Sequence, residues 1–395
     1  MAGQKNRLVG ALSANKLADL LISAKTTLPA LLISLGAPPW MIGWLVPIRE
    51  SGALLPQAVI GILLRKMRTR HIIWRTGIIV QALSVMGMLI AALSLDNSQA
   101  GWAILCLLGL LSMGRAACSL TIKDIEADIA NKGERGALLG KASTISGIVT
   151  LLVAVPLVFY QDVLGQEAIL FLISAAAVAF LFTFIILLPI KTYVDVSRET
   201  SENHDAHSPP RFHNFDSIVY RFILVRGLFV HSALVAPYFM LESEADAKSL
   251  LPLFLAAEAS AALFSSIVWG KVADKSARLA LQIAGIIATA ACIGLLVLPA
   301  PSLWISGLLF FVLAIAHTGV RTGRQTYSLD VTEGQDRTEL VAFSNTAIGI
   351  ILLGFGAFYA MLQSLIGFSV VYVMAGMLCV AIALTFILPA EKAKQ

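Results

Sequence analysis

Ionisable side chains occur where an apolar chain should not carry them. Asp19 and Lys25, Arg49 and Glu50, Arg115, His231, Glu258 and His317 each fall well inside runs of about twenty mostly apolar residues. In hydrocarbon such a group costs roughly 2.5–3.5 kcal/mol on insertion scales, so it faces a partner or a wet cavity. Two chemistries suit the set. Carboxylates among cations can take up and release a proton as the cations approach and withdraw. Arginine forks can bind a carboxylate or phosphate group of a solute. Asp19, Glu50 and Glu258 balance Lys25, Arg49 and Arg115, so these deep groups are neutral as a set. The arginines lean the expected cargo toward a small anionic molecule, with protons as the coupling partner.

The elements that hold these groups are helices of membrane-crossing length. Apolar runs predict helices near 10–36, 40–64, 72–95, 102–123, 139–160, 167–189, 218–240, 249–270, 279–299, 303–324, 340–363 and 367–389. They are too long and continuous for lipid-facing strands, which alternate over about ten residues. In the first run Asn15, Lys16, Asp19, Ser23, Thr26 and Thr27 share a stripe at 100° per residue, which should face a cavity and not lipid. Lys25 falls off that stripe, although Pro29 can bend the helix there. In the second run Arg49 and Glu50 lie about 14 Å below Trp40 at 1.5 Å per residue. Glu50 and Gln57 share a face, and Pro47, Gly52 and Pro56 make the helix bendable.

Composition agrees. Of 395 residues 58% are hydrophobic and 13% charged, about half the usual charged share, and mean hydropathy is +0.83. A water-soluble globule cannot hide that much apolar surface. An ordinary cytosolic enzyme, a disordered chain and a disulfide-stapled secreted domain are excluded. The net charge of +5 reflects loop placement, not nucleic-acid binding. Arg65, Lys66, Arg68 and Arg70, then Lys132 and Arg135, Lys191, Arg198 and Arg211, Lys271, Lys275 and Arg278, and Arg337 lie in alternate loops. The other loops hold one cation, Lys248. The positive-inside rule then places both termini in the cytoplasm, with an even number of spans. A plasma membrane, the inner membrane in a bacterium, is the expected location. Residues 190–217 form a polar linker between two parts, 1–189 and 218–395, of about six spans each.

The two parts repeat. Asp128 with Glu134-Arg135 recurs as Asp330 with Asp336-Arg337 at an offset of 202, and Gly61 recurs as Gly270 at 209. Pro29 and Pro237 also correspond. At the same offsets Arg49 meets Glu258 and Arg115 meets His317, so the deep polar positions coincide between the repeats. Two parallel six-helix bundles follow.

These motifs resemble the major facilitator superfamily. Gly270-Lys-Val-Ala-Asp274-Lys275-Ser-Ala277-Arg278 is similar to that family's loop signature, with Ala277 in place of its second glycine. The first copy keeps Gly61 but has Arg65 where the family has aspartate. Gly114-Arg115, Asp128 and Arg135-Gly136 also fit. The resemblance implies an all-α polytopic membrane fold of twelve helices in two pseudo-symmetric bundles. It also implies alternating access around a central cavity, with gating by Gly270, Asp274, Arg278, Asp128, Arg135, Asp330 and Arg337.

Other signals are discounted. Gly136-x-x-x-Gly140-Lys141 is one residue short of a phosphate loop, and Ala142 stands where a magnesium-binding hydroxyl would be. His204, His207 and His213 fall in the polar linker and are read as solvated, not as zinc ligands. Cys106, Cys118, Cys292 and Cys379 have no ligand spacing and read as small buried hydrophobes. No cofactor, metal or catalytic motif is expected. The reading is a monomeric secondary transporter, not an enzyme. It would move a small organic solute with protons, with Asp19, Arg49, Glu50, Arg115, Glu258 and His317 as the cavity and coupling set and Lys25 and His231 behind them. The rival is a receptor or scaffold that keeps the fold without flux.

Overall fold

The structure is a computed structural model that describes residues 2–57, 59–60, 67, 69–129, 135–160, 165–192, 217–243, 246–298, 302–330, 335–365 and 368–389. Gly61, Arg65, Lys66, Arg68, Lys132, Glu134, the linker histidines and most of the linker lie outside the described residues. Every element among the described residues is helical. In order they are α1 (Ala2–Leu21), α2 (Thr27–Ser34), α3 (Pro39–Gly43), α4 (Leu45–Leu54), α5 (Arg70–Ser94), α6 (Asn97–Ile129), α7 (Arg135–Phe159) and α8 (Gln166–Leu187). After the linker come α9 (Ser217–Phe229), α10 (His231–Leu234), α11 (Ala236–Leu241), α12 (Ala247–Lys275), α13 (Ala277–Val297), α14 (Leu303–Asp330), α15 (Gln335–Leu365) and α16 (Val371–Leu384). A short 3-10 turn, Thr385–Ile387, ends the last span.

Among the described residues nine helices are long and apolar enough to cross a membrane, and α16 with its 3-10 turn adds a shorter apolar one. The first two predicted spans are the broken pairs α1–α2 and α3–α4. Large apolar side chains such as Leu83, Leu152, Phe159 and Leu365 remain exposed. That surface suits acyl chains and not water. The chain is a multi-pass membrane protein.

Proline explains where the predicted helices break. The first run is expected to be one helix from residue 10, but α1 starts at Ala2 and stops at Leu21, and α2 resumes at Thr27. Pro29 has no N–H for the carbonyl of Lys25, four residues back, and its ring crowds that carbonyl. The chain opens there into a wider turn, closed by the Leu28 amide donating to the Ser23 carbonyl at 3.0 Å. The second run breaks at Trp44, three residues before Pro47, and again at Leu55, directly before Pro56. The seventh run breaks at Val230 and Val235, ahead of Pro237. Elsewhere α6 and α14 overrun their expected ends, reaching Ile129 and Asp330, whereas α16 (Val371–Leu384) falls short of the expected 367–389 at both ends.

The helices before the linker pack chiefly on one another, as do those after it. Between the two sets, α7 packs on α12 and α15 on α3 and α4. At the end of the molecule away from the lysine- and arginine-rich loops, α2, α3 and α11 close the seam. Gly43 lies so near Tyr238 that an added Cβ would stand 2.5 Å from the phenol oxygen. Gly356 is pressed on Trp44 and Pro47, where a Cβ would come within 2.9 Å of the proline ring. Among the described residues α6 and α14 are not one of the helix pairs packed along each other.

Candidate functional site

Asp19 is the centre of the charged groups. It projects from the last turns of α1 and pairs with Arg49 of α4, and Arg115 of α6 approaches its other oxygen at 3.7 Å. Arg49 is buried, whereas the Arg115 side chain is 40% exposed. One carboxylate between two guanidinium groups is held in place and leaves cationic capacity unspent. Lys16, one turn earlier, is bound to the Ser143 hydroxyl of α7.

The break after α1 carries the link between the two helix sets. Glu258 of α12 accepts a hydrogen bond from the Ser23 hydroxyl at 3.0 Å and lies 3.9 Å from the Lys25 ammonium. Lys25 reaches it because the helix is interrupted at this point. A regular helix would carry Lys25 off the polar stripe, and the open turn brings it back. The Thr26 and Thr27 hydroxyls in the same turn are fully buried and make no hydrogen bond. Irregular backbone at membrane depth is tolerated only where protein or a wet cavity takes its polar groups.

Glu50 has no close ion pair among the described residues but lies in the electrostatic field of Arg115, Lys25, Arg324 and Arg49. Arg321 and Arg324 of α14 belong to the same cluster, Arg321 exposed and Arg324 half-buried. So does Arg226 of α9, which donates to the Ser344 hydroxyl at 2.6 Å and to the Asn345 amide oxygen at 2.9 Å. Asn345 donates to Gln57 at 3.2 Å, a second polar link across the seam. The cluster holds seven cations (Lys16, Lys25, Arg49, Arg115, Arg226, Arg321, Arg324) against four carboxylates (Asp19, Glu50, Glu126, Glu258). The deep set keeps its even balance of three acids and three cations; among the described residues the groups nearer the helix ends make the wider cluster cationic.

The histidines part company. His317 of α14 meets the Ser232 hydroxyl at 3.1 Å and lies in the field of Lys25, Arg321 and Arg324. His231 is fully buried on α10, with Nδ1 2.6 Å from the Leu228 carbonyl oxygen. Its ring packs edge-on against Phe355 and Tyr359 of α15. Its Nε2 and the hydroxyls of Tyr238 and Tyr359 are buried without partners.

The gating candidates are dispersed. Gly270 is open to space on its Cβ side, Asp274 is exposed near the end of α12, and Asp128 is exposed near the end of α6. The side chains of Arg135, Asp330 and Arg337 lie outside the described residues. Arg278 donates to the Leu388 carbonyl at 3.2 Å and sits over the Phe386 ring. Arg75 does the same at the repeat-related end of α8, donating to the Leu188 and Ile190 carbonyls at 2.8 Å each. These arginines satisfy carbonyls that a helix end leaves free. Sequence reasoning missed Arg75, although it stands 203 positions before Arg278, close to the repeat offset. It also missed the ion pair of Arg70 with Asp124, 2.9 Å, whose acid lies one helical turn before Asp128. No group of three or more His, Cys, Asp or Glu among the described residues could hold a metal ion.

No protein-family model matches the chain, and no curated protein sequence matches it. Solved structures do. The chain is similar to a D-xylose-proton symporter, with a TM-score of 0.72 at 13% identity over 99% of both chains. It is similar to the inward-open xylose transporter XylE from E. coli, with 0.69 at 12% over 98% of this chain and 96% of that one. It is also similar to the nucleoside transporter NupG, with 0.68 at 10% over 98% of each. At that identity the likeness speaks for architecture and not for cargo. The chain has the major facilitator fold: an all-α membrane protein of twelve helices in two pseudo-symmetric bundles.

Proposed function

We propose that the protein is a secondary active transporter that carries a small organic anion across a plasma membrane by alternating access, coupled to protons. The observation that carries this reading is the contact of Glu258 with Ser23 and Lys25. A carboxylate from the second helix set is joined to the broken first helix, beside the Asp19–Arg49–Arg115 cluster. The neighbouring folds support the mode of action, since they include a proton symporter and two further solute transporters. The bundles are residues 1–189 and 218–395, with 190–217 as a cytoplasmic linker and both termini on the cytoplasmic side.

The chain's own residues supply the cycle. With Glu258 ionised, Lys25 and Ser23 hold α12 against the first span. A proton on Glu258 removes the charge that Lys25 answers, and the two bundles can rock. Asp19 keeps Arg49 and Arg115 oriented, and the surplus cations receive the anionic group of the solute.

The test begins with a melting-temperature screen of purified protein against organic acids, phosphate esters, D-xylose and nucleosides, since a ligand of the folded state raises the melting point. The stabilising solute is then followed into proteoliposomes under an imposed pH gradient. Flux that responds to the gradient, and loses that response in Glu258→Gln, is expected. Binding without net flux would replace the transporter with a receptor. Gradient-independent flux, with Asp19→Asn and Glu258→Gln still active, would remove proton coupling.

A further inference from the structure

Arg226 is half-buried on α9 with no carboxylate to answer its charge. It donates to two neutral groups of α15, the Ser344 hydroxyl at 2.6 Å and the Asn345 amide oxygen at 2.9 Å. Among the described residues it forms no ion pair, and the one charged group whose field reaches it is another cation, Arg324. Its Nε is buried without a partner. The groups beside it also have protons to spare. Ser84, Ser112 and Ser174 return their hydroxyl protons to a carbonyl one turn earlier. Ser344 instead accepts from Arg226, and its own proton has no acceptor among the described residues. Asn345 gives one N–H to Gln57 at 3.2 Å and keeps a second. The spare donors and the unanswered charge call for an acceptor that is itself negative, because a cation withdrawn from water without a counter-charge is costly, the more so inside a membrane. A halide takes donors from several directions without the flat geometry of a carboxylate, which suits a guanidinium, a hydroxyl and an amide.

We propose that Arg226, Ser344 and Asn345 hold a resident monatomic anion, a chloride, as the counter-ion between α9 and α15. The ion is part of the folded protein and not its cargo. It neutralises a network that runs from Arg226 through Asn345 to Gln57, on the segment that follows α4, and so reaches the first helix set. The inference goes beyond the transport reading and does not depend on it, since a receptor without flux would need the same counter-ion. A fixed carboxylate at the same place would do the ion's work.

The experiment compares melting temperatures of the purified full chain in sodium chloride, sodium bromide and sodium gluconate at equal ionic strength. Chloride and bromide are expected to raise the melting point by about 2 °C or more over gluconate, because an ion bound only by the folded state stabilises it. Arg226→Gln should abolish the difference. Ser344→Ala, a gentler change, should move the half-maximal chloride concentration about tenfold upward, as loss of a hydrogen bond to a charged group does. Asn345→Asp sets a carboxylate against Arg226 and should melt alike in all three salts. In crystals soaked in bromide, an anomalous peak is expected beside Arg226 Nε, Ser344 Oγ and Asn345 Nδ2. Radiolabelled chloride should show no protein-dependent uptake into proteoliposomes. Equal melting of the wild type in all three salts overturns the proposal. So does an unchanged midpoint in Ser344→Ala, a full halide response in Asn345→Asp, or a bromide peak only elsewhere. Chloride uptake that is lost in Arg226→Gln would make the ion cargo and overturn its resident role. Solute flux without any halide response would leave the transport reading standing while this one fails.

Discussion

The first and seventh spans are repeat-related and both are broken by proline, yet the two breaks are built from opposite chemistry. At the α1–α2 break, Ser23 and Lys25 meet Glu258, with Asp19 and its two arginines one turn away. At the α9–α11 breaks, the buried His231 packs edge-on against Phe355 and Tyr359, and the buried Tyr238 sets its hydroxyl against Gly43. Proline supplies the same flexibility to both. The first break meets a carboxylate and an ammonium, the second only the His317 ring through Ser232, so in the proposed cycle the first suits sensing a proton or an ion and the second suits sealing. In the proposed cycle, symmetry of backbone with asymmetry of side chains would divide gate and site between the two helix sets.

The comparison breaks hardest at Asp19. Asp19→Asn leaves Arg49 and Arg115 without their shared carboxylate. Losing one partner of a fully buried pair costs about 3–5 kcal/mol, and less here because Arg115 is part-exposed. Flux in proteoliposomes should fall by about two orders of magnitude and the melting temperature should drop. Near-normal flux would remove Asp19 from the site. Glu258→Gln is expected to do less to folding, since the amide can still accept from Ser23. It should keep ligand exchange between equal pools while abolishing the response to a pH gradient.

On the sealing side, Gly43→Ala would drive a methyl into the Tyr238 hydroxyl. A Cβ 2.5 Å from that oxygen requires the layer to shift, which should lower the population sealed at that end. Pairing it with Tyr238→Phe removes the clashing oxygen and should restore the wild-type melting temperature and flux. If the double variant behaves like Gly43→Ala alone, the contact is not the seal. The smallest effect is expected at His231. Its ring fills an aromatic layer and its Nε2 is unpartnered, so His231→Phe should change flux less than about threefold and leave the response to pH intact. Loss of proton coupling in that variant would erase the division between the two breaks.

The spans, their repeat and the polar stripe of the first helix were legible in sequence because lipid imposes one long apolar period and makes every buried charge conspicuous. Asp19, Arg49, Arg115 and Glu258 stood out for that reason. Their pairing did not, since it depends on which helix faces which after folding. Lys25 shows this most clearly: its partner is reachable only because Pro29 interrupts the helix that would have turned it away. The cationic excess was also hidden, because Lys16, Arg226, Arg321 and Arg324 lie nearer the helix ends and join the cluster only through the tilt and packing of separate spans. Arg75 and Arg278 were hidden differently, their partners being backbone carbonyls that leave no mark in a sequence.

The central claim is that these charges enclose a wet space and do not face lipid. Accessibility at Arg115 tests it most directly. Arg115→Cys, with the four native cysteines changed to Ala, is treated in oriented membrane vesicles with a charged, membrane-impermeant thiol reagent. Modification from the side of the basic loops, slowed by the solute that stabilises the protein, is the predicted result. Labelling only by a lipid-soluble maleimide, with no reaction to the charged reagent from either side, would contradict the account.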